Sequence, residues 1–321
     1  MKQSDGKCDV SFAIASYNSL PFLDEAIRSA LAQTGVSVEV LVVDDHSSDG
    51  SKVAAEEWSR RDSRVRVLQT QRNGGPGAAR NVAIDHMRGD WYAILDSDDL
   101  VTPERSRLLI DAAEADNADM IADDLVVFGD GIVETRHLVT EATGSSHPQS
   151  LKLIDTETYF RSTVMFGKRP NLGFLKPMIR ASALRSTGVR YQADLRIGED
   201  DEFVVRLLLA GLRYALLPQA HYLYRKHGAS VSHRLSLANA EAMLLSEQAV
   251  AHDIREAGLT SDAYDTRYRS IERATAFTRS VTALKKRRVV AAITPLLATP
   301  RAALLYSMPI GAMIRRMTGR S

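Results

Sequence analysis

Over its first hundred residues the chain alternates short apolar runs with amphipathic helical ones, and few architectures can bury that pattern. DVSFAIAS, LPFLDEAIRSALAQT, VEVLVV, SKVAAEEWSRR, RVRVLQT, GAARNVAIDHM and WYAILD read in order as β-α-β-α-β-α-β. Runs such as VEVLVV are β-branched and nearly continuous in their hydrophobicity, so they need cover on both faces. Helices supply it, and the expected fold class is α/β, a Rossmann-like, mostly parallel sheet flanked by helices.

The alternation predicts a further helix, PERSRLLIDAAEADN, with Pro103 in its first turn, and a further strand, DMIADDLVVF. Residues 129 to 150 read as a hairpin and a loop. A helix near DTETYFRST follows, then a broken loop, GKRPNLGFLKP, then a helix in DDEFVVRLLLAG ended by Gly211. RYALLP and AHYLYRK read as two strands, and helices are expected near 235 to 257 and 262 to 284. No clean boundary precedes about residue 235, so the expected division is 1–234 and a helical extension, 235–321.

At 321 residues and 45% hydrophobic, the chain can build a large core. A formal net charge of +1 gives no global field for nucleic acid. Cys8 stands alone, which excludes an internal disulfide framework, and MKQSDGKCDV has no apolar h-region. The expected location is the cytoplasm.

Acidic residues mark the turns. Asp45, Ser47, Asp49, Gly50 and Glu56 fall at positions one, three, five, six and twelve of a calcium-binding EF-hand loop, but the run before them favours a strand where an EF-hand needs a helix. The alternative, an acidic turn at the carboxyl end of a strand, is where open α/β sheets bind ligands. LDSDD places Asp96, Asp98 and Asp99 after WYAIL; three crowded carboxylates repel one another unless a divalent cation joins them, while capping of the next helix accounts for one of them. NGGPGAARN, Asn73 to Asn81, is another strand-to-helix junction, where Arg80 could meet a phosphate. It lacks the GK[ST] of a Walker loop, and Arg80 stands where a dinucleotide fingerprint has its third glycine, which disfavours a dinucleotide-dependent oxidoreductase. Glu199 to Glu202 open a helix, suited either to the helix dipole or to proton transfer in a cleft. His227, in YLYRKHGASVS, is an ordinary histidine unless a metal lies nearby.

In this order the pieces resemble glycosyltransferase family 2, the inverting, nucleotide-sugar-dependent enzymes of GT-A fold. The resemblance rests on FAIASYNSLPFLDEAIRSALAQT, VEVLVVDDHSSDG, NGGPGAARNVAIDHMRGDWYAILDSDD, GEDDEFVVRLLLAG and YLYRKHGASVS, and spans roughly residues 8 to 233. Within the family the chain looks most like bacterial exopolysaccharide glucosyltransferases of the succinoglycan type. The resemblance implies a nucleotide-binding half at about 8–128 and an acceptor half at about 129–234. It makes Ala15 to Asn18 and Asp45 the floor for the uracil of UDP, with Tyr17 available to stack, and sets Arg80 near the diphosphate. By the same resemblance Asp96 approaches the ribose and Asp98 binds Mg²⁺ or Mn²⁺, with His227 as a further metal ligand and Asp99 left as a helix cap. Asp200 would be the general base, though Asp201 adjoins it and the assignment could slip by one. The implied partners are a UDP-sugar, with glucose ahead of galactose and N-acetylglucosamine, and a saccharide acceptor carried on polyprenyl diphosphate. No QXXRW motif of processive synthases is present, so one sugar per encounter is expected. A non-catalytic nucleotide-sugar binder on the same fold is the alternative.

Residues 282 to 321 hold KKRR (Lys285 to Arg288), Arg301, Arg315, Arg316 and Arg320 with no acid, around apolar runs broken by Pro295, Pro300 and Pro309. Its longest uncharged piece is well short of the ~20 residues of a spanning helix, so this tail reads as an interfacial anchor on anionic lipid, or as a C-terminal helix packed on the catalytic domain.

Overall fold

A computed structural model describes residues 8–136, 138–139, 151–167, 169–228, 235–256 and 258–307. Its first compact unit, residues 1–163 and 169–230, is built on one ten-stranded sheet. The chain begins β1 (Cys8–Ser16), α1 (Leu20–Leu31), β2 (Val38–Asp44), α2 (Ser51–Arg61), β3 (Val65–Gln69), α3 (Pro76–His86) and β4 (Gly89–Asp96). All four strands run parallel in the order β3-β2-β1-β4. The expected alternation is thus present, and every residue of β2 is buried, as a strand covered on both faces requires.

The remaining strands make the sheet mixed. β5 (Leu100–Val101), helix α4 (Arg105–Ala115), β6 (Met120–Gly129) and β7 (Ile132–Arg136) follow, with β6 and β7 joined as the expected hairpin. Gly129, Asp130 and Gly131 all have positive φ there, conformations that favour glycine and tolerate aspartate. Residues 140–150 of the expected loop lie outside the described residues. β8 (Lys152–Ile154) and α5 (Thr156–Ser162) precede β9 (Met178–Arg180), α6 (Ala181–Thr187), α7 (Glu199–Leu209) and β10 (Tyr214–Arg225). The sheet order continues β4-β9-β6-β10-β5, and β9 runs antiparallel to both β4 and β6.

The two strands expected in RYALLP and AHYLYRK are one. β10 pairs with β6 throughout, with register shifts between Leu217 and Tyr222. Pro218 explains the irregularity, because a proline has no N–H for the ladder and an interior strand takes it up as a bulge.

The second compact unit, residues 164–168 and 231–321, contains α8 (Leu237–Glu256), α9 (Asp262–Lys285) and α10 (Val289–Ala298), then a 3₁₀ turn, Pro300–Tyr306. Within it Arg267 and Glu247, each almost fully buried, form a bidentate pair between α9 and α8. Such a pair holds because each charge has its partner at hand. Ser280 of α9 bonds the Ala292 carbonyl and the Tyr306 hydroxyl, tying α10 and the 3₁₀ turn to α9. No single described helix is long and apolar enough to cross a membrane; α10 and the turn bend by 118° at their junction.

Candidate functional site

The strand order reverses at β1: the chain leaves it for β2 and β3, then returns to β4 on its other side. Open sheets of this kind form a crevice at the carboxyl ends of the strands flanking the reversal. The register brings the predicted residues there: Ala15 lies between Val43 of β2 and Asp96 of β4, and Ser16 opposite Asp44.

At the end of β2, two adjacent carboxylates serve two turns. Asp44 accepts from the N–H groups of His46 and Ser47 and from Gln69, shaping its own turn. Asp45 reaches the other way. Its Oδ1 accepts from the Thr70 hydroxyl at 2.8 Å and the Gly74 N–H at 2.8 Å, and its Oδ2 from the Gly75 N–H at 2.7 Å. Gly75, at φ +87°, takes a backbone that a side chain would strain. Asn18, itself at φ +50°, donates its N–H to Ser47 and accepts from the Ser48 N–H, so the β1–α1 turn is fastened to the β2–α2 turn. Tyr17 projects beside it, 55% exposed. The EF-hand reading fails here, because a strand precedes the turn and Asp49 is spent on the N–H groups of Leu20 and Ser51.

At the end of β4 the carboxylates meet cations. Asp96 pairs with Arg80 Nη2 at 2.5 Å and with Lys176 Nζ at 2.8 Å. Asp200, in the first turn of α7, pairs with the same two cations at 2.8 Å and 2.6 Å, and Glu199 holds Arg80 at 2.7 Å. Arg80 is only 2% exposed. A guanidinium so buried needs counter-ions, and its neighbours are three carboxylates and the Tyr191 ring. Burial pushes the Asp96 carboxyl up, but Lys176 and then Arg80 outweigh it and bring its pKa down to about 2. Burial and then the charge of Asp200 raise that of Glu199. Lys176 loses from burial but gains more from Asp200 and Asp96, so its ammonium is strengthened.

Asp98 is treated differently. Its Oδ2 lies 2.8 Å from His227 Nε2, and the imidazole leans on Phe22 with ring centroids 4.5 Å apart. Asp96, Asp98 and Asp99 bring one carboxylate oxygen each within 4.8 Å of one another. With Asp96 engaged by two cations, the carboxylate and imidazole of Asp98 and His227 are the donors left for a hard or borderline divalent cation, and their chemistry fits Mg²⁺ or Mn²⁺.

Asp99 is not a helix cap. The helix starts later, at Arg105, with Glu104 at its N-cap position and no side-chain cap. Asp99 turns inward and accepts from the Tyr222 hydroxyl at 2.8 Å and the Arg225 N–H at 2.7 Å, both on β10. Burial, then Asp96 and Asp98, raise its pKa well above the usual range, which favours the neutral form. The Tyr222 hydroxyl also accepts the Asp96 N–H, and Arg225 Nε donates to the Asp98 carbonyl. β10 therefore buttresses the whole acidic turn.

Three residues of this site were not singled out by the sequence: Lys176, Tyr222 and Arg225. Lys176 sits in the proline-broken loop, where neither period nor motif singles out one lysine. Tyr222 and Arg225 lie in YLYRKHGASVS, a run that carries the resemblance but in which only His227 stands out by its chemistry.

The profile of glycosyl transferase family 2 matches residues 11–174. The succinoglycan biosynthesis protein ExoO of Rhizobium meliloti (strain 1021) is 38% identical over 313 residues, 97% of this chain and 88% of its own length. Among solved structures, S. aureus TarS 1-349 in complex with UDP-GlcNAc has a TM-score of 0.61 at 18% identity, covering 91% of this chain and 92% of its own. The mannosyltransferase PcManGT from Pyrobaculum calidifontis, in complex with GDP-Man and Mn²⁺, has a TM-score of 0.56 at 16% identity, covering 98% and 84%. At such identities these structures establish the GT-A fold. The matched profile and the likeness to ExoO go further, and by them the chain belongs to glycosyltransferase family 2.

Proposed function

We propose that the protein transfers one sugar, with inversion, from a UDP-sugar to a growing lipid-linked oligosaccharide in exopolysaccharide synthesis. One observation carries this reading: Asp96, Asp98 with His227, and Asp200 gather at the strand ends next to the Asp45 turn, although more than 100 residues separate β4 from α7. The likeness to ExoO supports the pathway, and glucose is the first candidate sugar, ahead of galactose and N-acetylglucosamine. Residues 1–234 form the catalytic domain and 235–321 the helical extension.

In this reading Ala15, Asn18 and Asp45 floor the uracil, Tyr17 stacks on it, and Asp96 meets the ribose. Arg80, expected near the diphosphate, is buried and engaged by Asp96, Asp200 and Glu199, so in this reading it positions those acids. A divalent cation held by Asp98 and His227 would supply Lewis-acid stabilisation for the charge that grows on the departing diphosphate. An acceptor hydroxyl attacks the anomeric carbon from the face opposite UDP; the new C–O bond forms as the bond to the diphosphate oxygen breaks, and an α-linked donor gives a β-linked product. Asp200 takes the hydroxyl proton, which requires it to exchange its hydrogen bond from Lys176 for one from the acceptor. Asp201, the next residue, is the competing base, and Asn substitutions at each position separate the two.

The acceptor is a saccharide on polyprenyl diphosphate, reached at the inner face of the cytoplasmic membrane. Val290, Ile293 and Leu297 stand exposed at helical spacing on α10, directly after Lys285 to Arg288, an arrangement suited to anionic lipid. Val290→Asp with Leu297→Asp is expected to abolish co-sedimentation with anionic vesicles; unchanged sedimentation contradicts the anchor.

UDP release from UDP-glucose, UDP-galactose and UDP-N-acetylglucosamine, measured with Mn²⁺ and with or without a polyprenyl-diphosphate oligosaccharide, tests the whole reading. Acceptor-stimulated turnover of UDP-glucose is expected. No release from any donor contradicts it and leaves a nucleotide-sugar binder.

A further inference from the structure

We propose that Arg196 reads the base of the donor nucleotide, standing as a hydrogen-bond donor beside the Asp45 acceptor and selecting uracil over cytosine. The proposal rests on the reading above, in which Asp45 floors the base site.

A carboxylate offers about four lone-pair positions. Thr70 and Gly74 occupy two on Asp45 Oδ1 and Gly75 one on Oδ2, which leaves Oδ2 able to accept once more. Arg196 Nη1 lies 3.9 Å from that oxygen, beyond hydrogen-bond range. Asn73 holds it there: Arg196 Nη1 donates to Asn73 Oδ1 at 2.8 Å and Nη2 to the Asn73 carbonyl at 3.2 Å, while Asn73 Nδ2 donates to the Asp45 carbonyl at 2.8 Å. The guanidinium remains 45% exposed, with further N–H groups of its five directed elsewhere than Asn73. Gly75 makes this placement possible, since a Cβ there would come within 2.7 Å of Arg196 Cδ.

An available carboxylate lone pair next to a guanidinium complements one edge of uracil. N3–H of uracil donates, and the carbonyls on either side accept. Cytosine has the same ring size but reverses part of that edge: its bare N3 would face the carboxylate and its amino group the guanidinium. A site that hydrogen-bonds its ligand discriminates far better against an unmatched edge than a pocket does by size. Arg196 also lies two residues before Gly198, the N-cap of the helix carrying Glu199 and Asp200. The segment that reads the base therefore leads straight into the acids of the reacting end.

The test measures dissociation constants of UDP, CDP and pyrophosphate with Mn²⁺ by calorimetry, for the full-length protein, Arg196→Ala and Arg196→Lys. Wild type should prefer UDP to CDP. Arg196→Ala should lose about tenfold in UDP affinity, the usual cost of a charged hydrogen bond, with little change for CDP and none for pyrophosphate; Arg196→Lys should recover part of the loss. An unchanged UDP:CDP ratio in Arg196→Ala, with or without a lower melting temperature, reduces Arg196 to a strap on Asn73 and overturns the proposal. Equal losses for UDP, CDP and pyrophosphate overturn it in favour of a phosphate contact. A wild type without UDP preference refutes the uracil reading of Asp45 itself, and this inference with it.

Discussion

The two acidic turns, at the ends of β2 and β4, are made of the same residue type and solved in opposite ways. Asp45 accepts from a hydroxyl and two backbone N–H groups, all neutral, and so shapes the glycine loop. Asp96, Asp200 and Glu199 are gathered around Arg80 and Lys176, while Asp98 faces His227 and Asp99 faces the Tyr222 hydroxyl and the Arg225 N–H. Neutral donors fix one acidic turn, and cationic partners hold the acids of the other together in the interior.

Breaking the buried ion cluster should cost most. Asp200→Asn keeps the size of the side chain, and kcat should fall by about 10² to 10⁴ while UDP affinity stays near wild type, read by steady-state kinetics and calorimetry. Normal turnover would move the base role to Asp201. Lys176→Met leaves Asp96, Asp200 and Glu199 sharing Arg80 alone; removing one partner of a buried ion pair costs about 3–5 kcal/mol, so chemical denaturation should show a loss of that order together with lower kcat. A mild effect on both would mean that the cluster tolerates the loss of one cation, and would weaken the contrast between the turns.

At the Asp45 turn each group left without a partner costs less than a broken buried ion pair. Asp45→Ala orphans the Thr70 hydroxyl and the Gly74 and Gly75 N–H groups, of which the buried ones cost about 1–3 kcal/mol each if no water replaces the carboxylate; denaturant midpoints and UDP affinity should both fall. Tyr222→Phe removes one hydroxyl that bonds Asp99 and accepts the Asp96 N–H, and a loss of about 1 kcal/mol in stability with a modest rise in the metal concentration needed for half-maximal activity is expected.

The first four strands are legible because β1, β2 and β4 are largely buried and written as apolar runs between amphipathic helices, and the edge strand β3 follows by the alternation. β5 and β9 were not, since two or three residues carry no period, and their place is decided by pairing with distant strands. The split of β10 into two strands came from reading Pro218 as an end when the sheet absorbs it as a bulge. The acidic turns announced themselves by crowding of like charge. Their partners did not, because an isolated Lys176 in a loop or Arg225 in a strand gains its meaning only from the acids that folding brings to it. Asp99 was assigned to the following helix by nearness in sequence, whereas its partners Tyr222 and Arg225 lie more than 120 residues away.

The central claim is that Asp98, freed by the pairing of its neighbours, holds the cation on which UDP binding depends. Calorimetric titration of UDP into the wild type and Asp98→Ala, each with Mn²⁺ and again with chelator, tests it most directly. Tight binding should appear only for the wild type with Mn²⁺, while equal UDP affinity in all four titrations would contradict the account.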